Sequence, residues 1–157
     1  MNLSSWIRRD LVFANLKGGS QAAVLRALAE SVASTGAVSD ADELYARLIE
    51  REEVGSTAMG GGVAIPHCKL PYLEKVLMAV GVVPDGVDLE TPDEEAVRLL
   101  FMVLSPEESP TDHLKCLATI ARWIRQKEKL TQLKKVESNE AIYRCLNGDK
   151  ADMSFSE

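Results

Sequence analysis

The chain is poor in several kinds of residue, and each shortage removes a class of function. It has only two histidines, His67 and His113, and three cysteines, Cys68, Cys116 and Cys145, with no CxxC spacing. A zinc finger or ribbon needs paired Cys and His ligands a few residues apart, and a disulfide framework needs cysteines in even number, so neither is expected. Three unpaired thiols instead point to a reduced, cytoplasmic compartment. No apolar run approaches the ~20 residues that cross a bilayer, so direct membrane insertion is not expected. The first nine residues hold a tryptophan and two arginines where a signal peptide has its apolar core. Basic residues are outnumbered, 18 Lys and Arg against 24 Asp and Glu, for a net charge of −6. A nucleic-acid surface requires the opposite balance, so no nucleic-acid partner is expected. No Gly-Lys-Ser/Thr follows the glycine run, and no Gly-x-Gly-x-x-Gly links a strand to a helix, which removes the common nucleotide-binding loops.

What is present is ordinary for one soluble domain with a real core: 157 residues, 46% of them hydrophobic and 27% charged. A first strand is expected over residues 10–16. Ser20 reads as the N-cap of a helix whose Leu25, Leu28, Ala29 and Val32 share one face, with Gly36 as its stop. Ser39 and Asp42 suggest a capping box for a second helix, with Leu44, Leu48 and Ile49 buried and Arg51 in its last turn, where a cation suits the helix dipole. The runs 76–83 and 97–104 are almost wholly apolar and of strand length, the pattern of strands covered on both faces. Pro84-Asp85-Gly86 reads as the turn that ends the first of them, and residues 86–96 as a solvated acidic connection. A third helix follows Pro110 and Thr111, with His113 in its first turn and Leu114, Leu117, Ala121 and Ile124 as its seam. Two shorter helices close the pattern, near residues 130–136 and 138–146. The fold class expected is α/β, a single domain over residues 1–150 with a central mixed, mostly parallel β-sheet flanked by helices on both faces, and a frayed polar tail over 151–157.

The stretch with chemistry in it is 51–70, REEVGSTAMGGGVAIPHCKL. It presents the imidazole of His67 after Pro66, whose ring biases Ile65 toward an extended backbone. Beside it lie Gly60, Gly61 and Gly62, which permit backbone angles closed to other residues and expose main-chain N–H donors. From the residues alone such a glycine run is more often a plain turn than an anion cradle. A metal site of His67, His113 and Cys68 is a second reading, short of ligands. A Cys68–His67 nucleophile pair is disfavoured, because adjacent residues of an extended segment point opposite ways.

The run GSTAMGGGVAIPH, residues 55–67, closely resembles the signature of enzyme IIA domains of the phosphotransferase system, of the fructose/mannitol and nitrogen-regulatory type. Arg51-Glu52 stands where that family has its Arg-Glu pair and His113-Leu114 where it has its second His-Leu, and the order of elements fits over roughly residues 10 to 146. The resemblance implies a phosphoryl carrier with His67 as phospho-acceptor, His113 as supporting histidine and Arg51 as a clamp on phosphoryl oxygens. Imidazole suits such a carrier, since its ordinary pKa of about 6.5 leaves it neutral and nucleophilic at cellular pH. Amides of Gly60, Gly61 and Gly62 and the hydroxyls of Ser56 and Thr57 are expected to complete the pocket, with capping of the preceding helix as the alternative role for the two hydroxyls. An apolar rim drawn from Met59, Ile65 and Leu70 is expected to dock the partner.

The same resemblance implies no metal and no organic cofactor. Its phosphoryl donor is HPr or a nitrogen-branch HPr, and its acceptor a IIB domain or a regulatory target. A free-standing nitrogen-type regulator is the expectation. The alternatives are a sugar-specific component and a module that acts by contact with phosphorylation weak or lost. Two positions depart from the family pattern: Gly61 stands where a larger residue is common, and Cys68 where glycine is, which would put a side chain, and a redox-sensitive one, next to the transferred group. Asp93 to Val97 also differs, in a connection outside the site.

Overall fold

The two apolar runs pair with each other and form the spine of the sheet. In the computed structural model, which describes residues 3–147, β5 (Leu77–Val87) and β6 (Val97–Ser105) run antiparallel, from Leu77 opposite Leu104 to Val87 opposite Val97. Successive side chains of a strand leave by opposite faces. Val80, Val82, Leu99, Phe101 and Val103 therefore enter one apolar cluster, and Ala79, Leu100, Met102 and Leu104 the other. The first cluster is closed by α3 (Pro110–Trp123), α4 (Lys127–Lys134) and α5 (Asn139–Asn147), the second by α1 (Gln21–Ser34) and α2 (Ala41–Val54). Covering on both faces is what near-continuous apolarity predicts.

On one side of this spine β1 (Ile7–Phe13) lies parallel to β5. On the other, β3 (Val63–Ala64) and β4 (His67–Lys69) lie parallel to β6, and β2 (Ala58–Gly60) is antiparallel to β3. The order is β1-β5-β6-β3-β2, with β4 also on β6. The sheet is mixed, as expected: three of its pairings are parallel, although the longest, β5 with β6, is antiparallel.

Several local expectations shift. The first strand begins at Ile7, three residues earlier than the apolar run, because an edge strand tolerates the charged Arg8, Arg9 and Asp10. The second helix is capped by Asp40, not Ser39: the Asp40 carboxylate accepts from the amides of Asp42 at 2.9 Å and Glu43 at 3.2 Å. Pro84-Asp85-Gly86 does not end β5 but forms an irregularity inside it, between Val82 and Val87, with Gly86 at φ 73°. On α3 the buried face is Cys116, Thr119, Ile120 and Trp123, while Leu114 is 64% exposed. The helix carries two adjacent apolar stripes. The one that holds Trp123, whose ring meets Phe101 edge-on at 5.9 Å, wins the core. Leu117 and Ile124 pack at its margin.

Among the described residues no helix is long and apolar enough to cross a membrane. The tail at 151–157 and the boundary at 150 lie outside the described residues. The assignment of the α3 face is open to test by urea denaturation. Ile120→Ala should cost about 2–5 kcal/mol as a buried large-to-small change, whereas Leu114→Ser should stay within about 0.5 kcal/mol. Equal losses would mean that the helix is rotated from this arrangement.

Candidate functional site

β4 is three residues long, and its register on β6 sets the site. His67 lies opposite Val103, Cys68 opposite Leu104 and Lys69 opposite Ser105. Alternation sends Cys68 into the α1–α2 cluster and turns its neighbour His67 the other way. Pro66 supplies no amide, but its carbonyl accepts from Val103 N at 2.9 Å, and Ile65 N donates to Thr57 O at 3.0 Å. The segment leading to the histidine is thus held on both sides.

The ring of His67 is fixed at both nitrogens. Nδ1 lies 2.8 Å from the Ile65 carbonyl oxygen. A carbonyl only accepts, so Nδ1 carries the hydrogen, and in the neutral ring Nε2 keeps its lone pair. Arg51, in the last turn of α2, donates from Nε to that Nε2 at 3.2 Å and from Nη1 to the Gly55 carbonyl at 2.8 Å. The second histidine arrives from the opposite layer. His113, in the first turn of α3, stands with its ring centroid 5.5 Å from that of His67, the two planes 57° apart. Its Nδ1 lies 2.5 Å from Ser105 Oγ at the end of β6. Burial holds its imidazole below the ordinary histidine range, and the neighbouring His67 and Lys69 add to the effect. His113 is therefore neutral at neutral pH and offers one N–H.

His67, His113 and Arg51 line a single cleft of about 420 Å³, whose other walls are Arg47, Glu50, Val54, Cys68 and Lys69. Cations outnumber the one carboxylate there, which suits a dianionic group. Arg47 is positioned by its bond from Nη1 to the Lys69 carbonyl, 3.0 Å. Neither Arg47 nor Lys69 stood out in the sequence, although the signals exist: Arg47 is one helical turn before Arg51, and Lys69 is two strand residues after His67, on the same face. Ser105 was missed as well, because a serine before a proline reads as a strand end.

The glycines and hydroxyls stand elsewhere. Gly60, Gly61 and Gly62 have φ of 87°, 65° and 79° and form the tight turn of the β2–β3 hairpin, which demands positive φ at its central residues. Gly61 N donates to Asp93 Oδ2 at 2.8 Å, the Gly61 carbonyl accepts from Lys134, and the Gly62 carbonyl accepts from Leu99 N at 3.1 Å. Val63 pairs with Leu99 and His67 with Val103, four residues apart on β6, or about 13 Å along a strand. These amides are therefore not donors to the cleft. Asp93, read as part of a solvated connection, is the fastener of the hairpin, and the amides of Gly61 and Glu95 hold its carboxyl below the usual carboxylate range. Ser56 Oγ donates to the Glu90 carbonyl at 2.5 Å, and Thr57 Oγ1 to Glu52 Oε2 at 2.5 Å. With Glu52 Oε1 accepting from Thr57 N at 3.1 Å, this pair shapes the exit from α2 and does not line the cleft.

The apolar rim also differs from expectation. Ile65 and Leu70 are buried in the core, and Met59, though exposed, is not a wall of the cleft. Val54, 83% exposed, lines it, and Leu114 stands beside His113. Cys68 borders the cleft but is buried, with its thiol pushed up to about 12 by desolvation. That makes it a poor thiolate for a metal or for redox chemistry.

Comparison with known proteins places the arrangement. Residues 5–148 match the family model described as the phosphoenolpyruvate-dependent sugar phosphotransferase system, EIIA 2. A nitrogen regulatory protein of Bradyrhizobium diazoefficiens is 37% identical over 147 residues, 93% of this chain and 95% of the relative. One from Pseudomonas aeruginosa is 36% identical over 138 residues, 88% of each chain. The crystal structure of nitrogen regulatory protein IIA-Ntr from Neisseria meningitidis superposes with a TM-score of 0.82 at 25% identity, covering 92% of this chain and 98% of that one.

The lowered pKa of His113 has a consequence for stability. Between the folded value and the ordinary one near 6.5, the unfolded chain binds the extra proton, so this contribution is complete above about pH 6.5 and is lost as pH falls below it. His113→Gln should therefore flatten the decline of the urea midpoint between pH 7 and pH 5. An unchanged decline would show that His113 is not held neutral by its surroundings.

Proposed function

The chain belongs to the EIIA type 2 family of the phosphoenolpyruvate-dependent sugar phosphotransferase system, and from that premise we propose that it carries a phosphoryl group on Nε2 of His67. One observation carries this assignment: Nδ1 is engaged with the Ile65 carbonyl while Nε2 faces the Arg51 guanidinium across the cleft. In the transfer, the Nε2 lone pair attacks phosphorus as the P–N bond to the donor's histidine breaks, and the departing imidazole keeps that electron pair. His67 retains its Nδ1 hydrogen throughout, and the Ile65 carbonyl stabilises the positive charge that the ring acquires. The Arg51 Nε–H then points at a phosphoryl oxygen in place of the ring nitrogen, with the fork geometry suited to it. Neutral His113 gives one further donor, and Arg47 and Lys69 add charge complementarity. Catalysis is positioning and electrostatics, which is what an in-line phosphoryl transfer requires. The scheme needs neither metal nor organic cofactor, because the donor's P–N bond is already labile.

The donor is HPr or a nitrogen-branch HPr, in the cytoplasm, and the acceptor a IIB domain or a regulatory target. The exposed Val54, a wall of the cleft, and the exposed Leu114, next in the chain to His113, offer apolar surface for transient docking. Similarity to the two nitrogen regulatory proteins along most of their length favours the regulatory role over the sugar-specific one. Incubation with phosphoenolpyruvate, enzyme I and HPr should yield an acid-labile phosphate on the wild type and none on His67→Ala. Arg51→Ala should fold and accept the group about 10²–10³ more slowly, the usual effect of removing one charge-stabilising donor. Undiminished acceptance by Arg51→Ala would remove the guanidinium from the mechanism, and labelling of His67→Ala would remove the histidine.

A further inference from the structure

Ser105 is a fully buried polar residue with no part in the expected site. It ends β6, opposite Lys69 of β4, and Pro106 behind it biases its backbone toward an extended conformation. Its carbonyl is occupied by Leu70 N at 2.9 Å, which fixes the main chain at this point. Its side chain leaves β6 by the face that carries Phe101 and Val103, the face on which α3 packs. There its hydroxyl meets Nδ1 of His113, the one partner this hydroxyl has among the described residues.

That isolation decides the direction of the bond. A buried hydroxyl hydrogen needs an acceptor, and the only one within reach among the described residues is the ring nitrogen. Were His113 to hold its hydrogen on Nδ1, the serine would accept and its own hydrogen would be stranded in the core, a costly state. Hence the serine donates, Nδ1 is the bare nitrogen, and the single hydrogen of the neutral ring sits on Nε2. We propose that Ser105 is a positioning residue that locks His113 in its Nε2–H tautomer, so that the ring presents a donor, and not a lone pair, to the group carried on His67. The opposite tautomer would face phosphoryl oxygens with a second lone pair, repelling the charge that the cleft is built to hold. The two histidines are thus set in complementary states by two different anchors: the Ile65 carbonyl accepts from Nδ1 of His67 and leaves its Nε2 bare, and the Ser105 hydroxyl donates to Nδ1 of His113 and leaves its ring hydrogen on Nε2.

This inference rests on the carrier role proposed above, but its decisive measurement does not need phosphate. Ring ¹⁵N spectra of the unphosphorylated full chain at neutral pH should show His113 with a bare Nδ1 and a protonated Nε2. In Ser105→Ala the His113 signals should move toward a mixture of tautomers, the His67 signals should stay in place, and phosphoryl acceptance from HPr should slow by about tenfold, as when a histidine loses its orienting partner. Two results overturn the proposal: a wild-type His113 protonated on Nδ1, or a Ser105→Ala protein whose His113 tautomer is unchanged, including one that is slower for reasons of packing alone. If the wild type accepts no phosphate at all, the carrier role fails, while the ¹⁵N result still decides the role of Ser105.

Discussion

The hydrogen bond from His67 Nδ1 to the Ile65 carbonyl, 2.8 Å long, is the interaction on which the site turns. It joins the first residue of β4 to the link that precedes it, so it forms only if the backbone from Ile65 to His67 is held in place. Pro66 contributes by stiffening that backbone. The pairing of β4 with β6 contributes more, because it fixes the carbonyl and the ring against a strand that is buried along its whole length apart from Arg98. A local bond thereby inherits the rigidity of the core, which is how a reactive group is kept in one orientation without being buried.

The three-layered architecture, a sheet between two helical layers, explains why three elements distant in sequence meet at one ring. His67 stands where the sheet ends, so α2 and α3, which cover opposite faces, each reach it with a terminal turn. Arg51 comes from the last turn of α2 and His113 from the first turn of α3. Helix ends are suited to this, since a cation favours a C-terminus and a donor or an anion site an N-terminus. Side chains make the cleft between them cationic, with Arg47, Arg51 and Lys69 around the two imidazoles, as the proposed phosphoryl group requires. The glycine hairpin contributes by a different route. Its turn lets β3 reverse and lie parallel to β6, and so sets the register that β4 follows two residues later.

How much of this was legible in the chain depends on the range of the interaction concerned. Helices α1 and α2 and the apolar cores of β5 and β6 could be read from periodicity and caps, and the gathering of His67, Arg51 and His113 in one cleft from the resemblance of residues 55–67 and its flanking Arg51-Glu52 and His113-Leu114. Strands β2 to β4 could not, since two or three residues carry no period. The phosphate-cradle reading of Gly60 to Gly62 failed because a glycine run states what the backbone can do and not what it faces. Here the amide of Gly61 is taken by Asp93, thirty-two residues away. The seam of α3 was misplaced by a similar ambiguity, settled by the packing of Trp123 on Phe101. Ser105 and His113 are eight residues apart across a strand end and a helix start, and no local pattern joins them.

The central claim is that the nitrogen of His67 without a hydrogen, and so the nucleophile, is Nε2. Loading the protein through HPr and reading the ³¹P and ring ¹⁵N spectra of the product identifies the phosphorylated atom directly. The account predicts phosphate on Nε2 of His67 with Nδ1 still carrying hydrogen. Phosphate on Nδ1, or on any residue other than His67, would contradict it.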